Sequence, residues 1–250
     1  VKTLLVDIET APNRAYVWGL FKQNIAPNQL EASSHILCWS AKWLPDKGIT
    51  FHSIQGRGGR LGMLRAIWAL LDEADTVIHY NGQKFDIPTL NKEFVKYQLP
   101  PPSPYKQVDL MLVCKRAFRF ESNKLGYVAQ HLAVGSKVLN EGFTLWVKCM
   151  EGDPKAWRRM EKYNRGDVKV LEALYRRLLP WIPNHPNHSA LDDVECCPKC
   201  GGRNFQRRGE VLTTTLRYIR YQCQGCGGWF RGTKTVSKRG ARRTANIGGR

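Results

Sequence analysis

The sequence predicts an α/β fold, a mixed sheet flanked by helices, followed by a small cysteine-rich ribbon. Three observations predict it. A short apolar run, Thr3 to Ile8, reads as a central strand and carries Asp7 and Glu9 at its end. Two further strands joined by a tight turn are followed by strands alternating with helices, the pattern of a sheet with helices on its faces. Near the end stand two Cys-x2-Cys pairs, Cys197/Cys200 and Cys223/Cys226.

The elements follow in order. Ile36 to Trp43 and Ile49 to Ile54 are strands joined by Pro45-Asp46-Lys47-Gly48, and so short a connection favours an antiparallel hairpin. Leu61 to Leu71 has helical spacing, with Leu61, Leu64, Ile67, Trp68 and Leu71 on one face. Thr76 to Tyr80 is a fourth strand and Ile87 to Tyr97 a helix, which Pro100-Pro101-Pro102 ends. A short strand is expected at Lys106 to Val108, and helices at Leu110 to Phe118 and Leu125 to Leu132. Lys155 to Leu179 is the longest helical signal and stops at Pro180. Residues 181–195, rich in Pro, Asn and His, suit an extended linker. The expected domains are therefore 1–180, then the linker, a ribbon at 196–231 and a basic tail at 232–250.

Charge separates the same parts. The chain has 250 residues and a formal net charge of +18, which points to a polyanionic partner. The last 54 residues, from Cys197, hold 13 basic residues and one acid, Glu210, whereas the first 196 hold 26 and 20. With 42% hydrophobic residues the chain is not wholly disordered. No apolar run reaches the ~18 residues of a membrane-spanning helix. Acids come too early for a secretory leader, so a soluble cytoplasmic protein with no membrane partner is expected. Cys38, Cys114 and Cys149 sit singly and read as small buried side chains. The six histidines show no close metal-binding spacing.

Asp7 and Glu9, two apart on a strand, leave the same face of the sheet. Either both are solvated at a strand end, or a hard divalent cation offsets their repulsion. Asp86 follows the fourth strand in Tyr80-Asn81-Gly82-Gln83-Lys84-Phe85-Asp86, where a carboxylate can reach the same site or cap the next helix. Tyr163 and Asp167, four apart, share one face of the long helix. Asp109, at another strand-to-helix junction, reads as a helix cap.

Taken together, Asp-x-Glu, Asn-x3-Phe-Asp and Tyr-x3-Asp resemble the three exonuclease motifs of the DEDD superfamily, in its DEDDy branch, within the ribonuclease H-like fold. The alternative branch carries His five residues before the last Asp, where this chain has Lys162. The wording of the second motif is similar to that of family B polymerase proofreading domains and their stand-alone phage-type relatives. The likeness covers about residues 1–180.

The resemblance implies a 3′-to-5′ exonuclease acting on DNA with two Mg²⁺ or Mn²⁺. Asp7, Glu9, Asp86 and Asp167 would be the metal ligands and Tyr163 would position water, with Asn81 and Phe85 contacting substrate. It also implies single-stranded or 3′-ended DNA and replication proteins as partners, in a bacterial or phage-infected cell. RNA or a hybrid as substrate, internal cleavage, and a non-catalytic binding role remain open alternatives.

Four thiolates in two knuckles 22 residues apart fit one structural Zn²⁺, and the segment resembles a zinc ribbon. Cys196 is an alternative to Cys197 if the first knuckle shifts. Thr213 to Gln222 alternates, and its Arg217, Tyr218, Arg220 and Tyr221 suit phosphate contact and base stacking; the other reading has the rings filling a small core. Arg231, Lys234, Lys238, Arg239, Arg242 and Arg243 add to the basic surface.

Overall fold

The computed structural model describes residues 1–135, 142–191 and 195–236. Its strands are β1 (Thr3–Thr10), β2 (Arg14–Ala15), β3 (Leu30–Ala32), β4 (Ile36–Leu44), β5 (Thr50–Ser53), β6 (Thr76–His79) and β7 (Lys106–Asp109), then β8 (Phe205–Leu212), β9 (Arg217–Cys223) and β10 (Trp229–Thr235). The helices are α1 (Gly59–Glu73), α2 (Asp86–Lys96), α3 (Leu110–Ala117), α4 (Leu125–His131), α5 (Phe143–Met150) and α6 (Pro154–Leu178). The chain divides into two compact units, Lys2–Tyr175 and a second comprising Val1 and Arg176–Arg250.

In the larger unit the sheet order is β5-β4-β1-β6-β7. β4 pairs antiparallel with β1 and β5, whereas β6 pairs parallel with β1 and β7, so the sheet is mixed. β1 is central because it is apolar on both faces: Leu4, Leu5, Val6 and Ile8 are all buried. Leu4, Val6 and Ile8 meet Met63, Leu64, Ile67 and Leu71 of α1 and Ile87, Leu90 and Phe94 of α2. On the other face Leu37 and Cys38 join Leu145 and Cys149 of α5 and Ala156, Trp157 and Met160 of α6. This is the expected α/β architecture, a mixed sheet with helices on both faces.

Several elements differ from the sequence pattern. In α1, Met63 lies in the buried stripe with Leu64, Ile67 and Leu71, while Leu61 and Trp68 are only half-buried. The Trp68 indole N–H donates outward to the carbonyl of Pro100 at 2.6 Å. Helix α5 was not anticipated, because Thr144, Trp146 and Val147 are weak helix formers in a short segment. Burial of Leu145 and Cys149, one turn apart, supplies what propensity does not. β2 and β3 are too short to leave a periodic signal.

The smaller unit contains the sheet β10-β9-β8, antiparallel throughout, with a core of Phe205, Tyr221 and Phe230. Thr213 and Leu216 close a turn, so the strand expected from Thr213 begins at Arg217. β10 continues to Thr235, which puts residues 232–235 in the sheet and not in the basic tail. Gly232, a weak strand former, fits there because the Tyr221 ring lies against it; an added Cβ would sit 3.4 Å from that ring. Residues 237–250, including Lys238, Arg239, Arg242 and Arg243, lie outside the described residues. The stretch read as an extended linker follows a 3-10 turn, Leu179–Trp181, and holds a second, His188–Leu191. Among the described residues, no helix is long and apolar enough to cross a membrane.

Phe94 is 2% exposed at the centre of the α1/α2 face. Phe94→Ala is expected to cost about 3–5 kcal/mol of stability, read as a lower urea midpoint with an unchanged slope.

Candidate active site and metal-binding cysteines

The two-residue period of β1 sends Leu4, Val6 and Ile8 into the α1/α2 core and leaves Asp7 and Glu9 on the α6 side. Asp167 reaches the same place from α6. One carboxylate oxygen from each of Asp7, Glu9 and Asp167 lies within 4.8 Å of the others. At ~5 Å and an effective dielectric near ~20, each ionised pair repels by about 3 kcal/mol. Such a set suits a hard divalent cation.

Asn164, fully buried on α6, donates its side-chain N–H to Asp7 Oδ2 at 2.6 Å and is 3.3 Å from the Asp7 carbonyl. A neutral amide fixes the Asp7 carboxylate without cancelling its charge. Asn164 directly follows the motif Tyr163, but its role depends on a contact with β1 that no local pattern encodes. Tyr163 is half-buried, with the Trp146 ring packed edge-on at 5.8 Å.

The second motif is built differently. Asp86 is the first residue of α2 and not its cap, a position held by Phe85 without a side-chain hydrogen bond. The Asp86 carboxylate instead accepts, at 3.2 Å, the backbone N–H of Ile8, the β1 residue between Asp7 and Glu9. It stands outside the 4.8 Å group. Burial pushes its pKa up to about 7; hydrogen bonds from the Ile8 and Asp86 backbones oppose this, and the Asp109 charge adds to it.

Asn81 is in the left-handed region (φ 66°), and Phe85 is 44% exposed. Asp109 holds this loop as well as capping α3. Its Oδ1 accepts N–H bonds from Met111, Leu112 and Asn81, and its Oδ2 accepts from Gln83 at 3.3 Å. The buried His79 ring accepts the Gly82 N–H at Nδ1 (3.1 Å) and lies 3.0 Å from Gln107 through Nε2. Burial lowers the His79 pKa, consistent with a neutral ring that donates from Nε2. A Cβ on Gly82 would lie 2.4 Å from that ring, so only glycine fits.

A family model described as the RNase_H superfamily matches residues 53–179, just over half of the chain. The chain belongs to the RNase_H superfamily. The matched segment includes Asp86, Tyr163 and Asp167; Asp7 and Glu9 lie upstream of it. Among solved structures, the family B DNA polymerase from the hyperthermophilic archaeon Pyrobaculum calidifontis is similar in fold, with a TM-score of 0.55 and 20% identity over 72% of this chain. This RNase_H superfamily chain spans 24% of that polymerase's length. No curated protein matches it. The acidic triad fits the divalent metals that RNase H-like nucleases use.

This RNase_H superfamily member carries a second cluster, in which sulfurs of Cys197, Cys200, Cys223 and Cys226 lie within 4.8 Å of one another. Cys197, and not Cys196, supplies the first sulfur. The two knuckles repeat one pattern. Gly201 and Gly227 adopt positive φ (69° and 75°), and the next residues, Gly202 and Gly228, donate N–H to Cys200 and Cys226, each at 3.4 Å. Burial pushes the Cys226 thiol up to about 11 and raises Cys200 further, while N–H groups of Cys226 and Gly225 bring Cys223 below its ordinary value against the effect of burial. Four sulfurs in this arrangement suit a tetrahedral soft-ligand ion in a closed site and fit a zinc ribbon.

The residues singled out on the ribbon separate by role. Arg217 pairs with Glu210 at 3.3 Å, and Tyr221 belongs to the small core. Arg220 lies over Trp229 (5.0 Å) and Arg231 over Tyr218 (3.9 Å). Arg220 and Arg231 are directly opposite on β9 and β10, and each lies over a ring diagonally across on the facing strand. Trp229 was missed because it abuts the second knuckle, where its neighbours gave no strand pattern. The lone cysteines Cys38, Cys114 and Cys149 are buried, and burial raises all three thiol pKa values.

Two outcomes test these sites. Because folding favours protonated Asp86 while the unfolded chain ionises it near its ordinary 3.8, metal-free protein should lose a few kcal/mol of stability as pH rises from about 4 to about 7. Asp86→Asn flattens that slope in urea titrations. Cys200→Ser should release the thiol-bound ion in metal analysis and remove hydrogen-exchange protection from β8–β10, leaving that of β1 and β6 intact.

Proposed function

We propose that the chain is a metal-dependent 3′-to-5′ exonuclease that hydrolyses DNA. The observation that carries this reading is the meeting of Asp7, Glu9 and Asp167 on one face, with Tyr163 one helical turn before Asp167. Residues 1–180 form the nuclease domain, 181–195 the linker, 196–235 the ribbon with one Zn²⁺, and 236–250 the basic tail.

Asp7, Glu9, Asp167 and Asp86 hold two Mg²⁺ or Mn²⁺. Bound there, such ions would lower the pKa of water and supply charge stabilisation for an in-line displacement. Asn164 orients Asp7. The Tyr163 phenol, with an ordinary pKa near ~10, is a poor base at neutral pH and serves by holding the attacking water through its hydroxyl. Asn81 contacts the substrate backbone, and the exposed Phe85 ring supports the terminal nucleotide. On the ribbon, Arg217, Tyr218 and Arg220, with Trp229 and Arg231, meet phosphates and bases without reading sequence. That binding weakens steeply with salt.

The test uses matched DNA and RNA strands with free and blocked 3′ ends, and a circular single strand. The expected result is release of mononucleotides from free 3′ ends of DNA with Mg²⁺ or Mn²⁺. Asp7→Ala is expected to lower kcat by about 10³-fold or more, corresponding to several kcal/mol of lost transition-state stabilisation, with an unchanged fold. Full activity in Asp7→Ala overturns the site; preferential loss of RNA, or cutting of the circle, replaces the substrate or the mode of cleavage.

A further inference from the structure

Residues 12–35 leave the sheet after β1 and re-enter it at β4. Their root is well bonded. Ala11 N–H donates to His35 O (2.8 Å), Ser34 N–H to Asn13 Oδ1 (2.6 Å) and Tyr16 N–H to Gln29 O (3.0 Å), around the β2–β3 pairing. The tip is the reverse. Tyr16 is 72% exposed, Trp18 99%, Leu20 88% and Phe21 84%, in a chain that buries Trp39 and Phe94 almost completely. Exposed apolar groups concentrated in one short segment mark an interaction site.

We propose that this arm is a stacking platform for single-stranded nucleic acid that runs to the carboxylate cluster. The proposal rests on the nuclease reading and adds a binding surface to it. Continuity is the first support: the arm prolongs β1, which carries Asp7 and Glu9, and its neighbour β4, since Glu9 faces Cys38 and Thr10 faces Ile36 just before the arm departs. Reach is the second. Trp18 is nine residues beyond Glu9, at most ~30 Å of extended chain, which a strand rising ~3.4 Å per nucleotide covers in about nine nucleotides. Chemistry is the third. Residues 16–30 contain Lys22 and no acid, so nothing there repels phosphate, while three rings offer faces on which any base can stack.

The experiment measures affinity of the full chain, made inactive by Asp7→Asn, for oligothymidylates of about four and about twenty nucleotides. Replacing both Trp18 and Phe21 by Ala should raise Kd for the longer strand by about tenfold or more, given ~1–3 kcal/mol per stacked base, and leave the shorter strand unchanged. Trp18→Phe, which keeps a ring, should retain most of the affinity. Unchanged long-strand affinity in the double Ala variant overturns the proposal. So does an unmutated dimer that becomes monomeric on Trp18→Ala with nucleic-acid affinity intact, which assigns the arm to self-association. Failure of the nuclease reading looks different: the unmutated chain degrades neither DNA nor RNA, yet arm-dependent binding persists.

Discussion

Three carboxylates whose oxygens lie within 4.8 Å repel one another, and the larger unit is arranged so that this repulsion cannot pull them apart. Two of them are fixed by covalent geometry, because alternate residues of β1 share a face. The third is brought by α6, which is anchored through Ala156, Trp157 and Met160 to Leu37, Cys38, Leu145 and Cys149. Burial of several such side chains, at about 1.5–3 kcal/mol each, outweighs pairwise repulsion of a few kcal/mol. Further along the same interface, Lys42 of β4 pairs with Glu172 of α6. That pair ties β4 to α6, as the Asn164 amide on Asp7 ties β1 to α6.

Much of the fold was legible because its signals are local. An apolar run ending in Asp-x-Glu, a four-residue turn between strands and a long periodic helix bounded by Pro180 each report on their own neighbourhood. Helix α5 was not legible, since its residues favour strands and only the packing of Leu145 and Cys149 makes it helical. The candidate site shows the same division. Asp7, Glu9, Tyr163 and Asp167 follow from spacing on a strand and a helix. The roles of Asn164, Asp109 and His79 do not, because they depend on contacts between elements far apart in sequence. The parallel register that sets His79 opposite Asp109 is one such contact. Asp86 shows a subtler limit: its position before a helix suggested a cap, whereas its carboxylate turns back to the Ile8 amide.

The two units treat charge in opposite ways. The larger one concentrates acids around a cluster while remaining near balance overall. The smaller one places arginines over aromatic rings, which lets guanidinium groups lie flat on a sheet only three strands wide. A ring beneath each cation limits its side-chain freedom before any ligand arrives, so less conformational entropy is lost on binding. Glu210, the acid among residues 197–250, is engaged by Arg217.

The repeated knuckles have a kinetic consequence. Each closes within six consecutive residues through the same pair of backbone bonds, Cys197 N–H to Gly202 O and Gly201 N–H to Cys197 O in one, Cys223 N–H to Gly228 O and Gly227 N–H to Cys223 O in the other. Both turns can therefore form early and independently. What remains is to join them across the 22 residues between Cys200 and Cys223, an entropic cost of roughly 3 kcal/mol plus a constant. Assembly of the ribbon is thereby reduced to a single loop-closing event, the kind of short-range search that a small sheet can complete quickly.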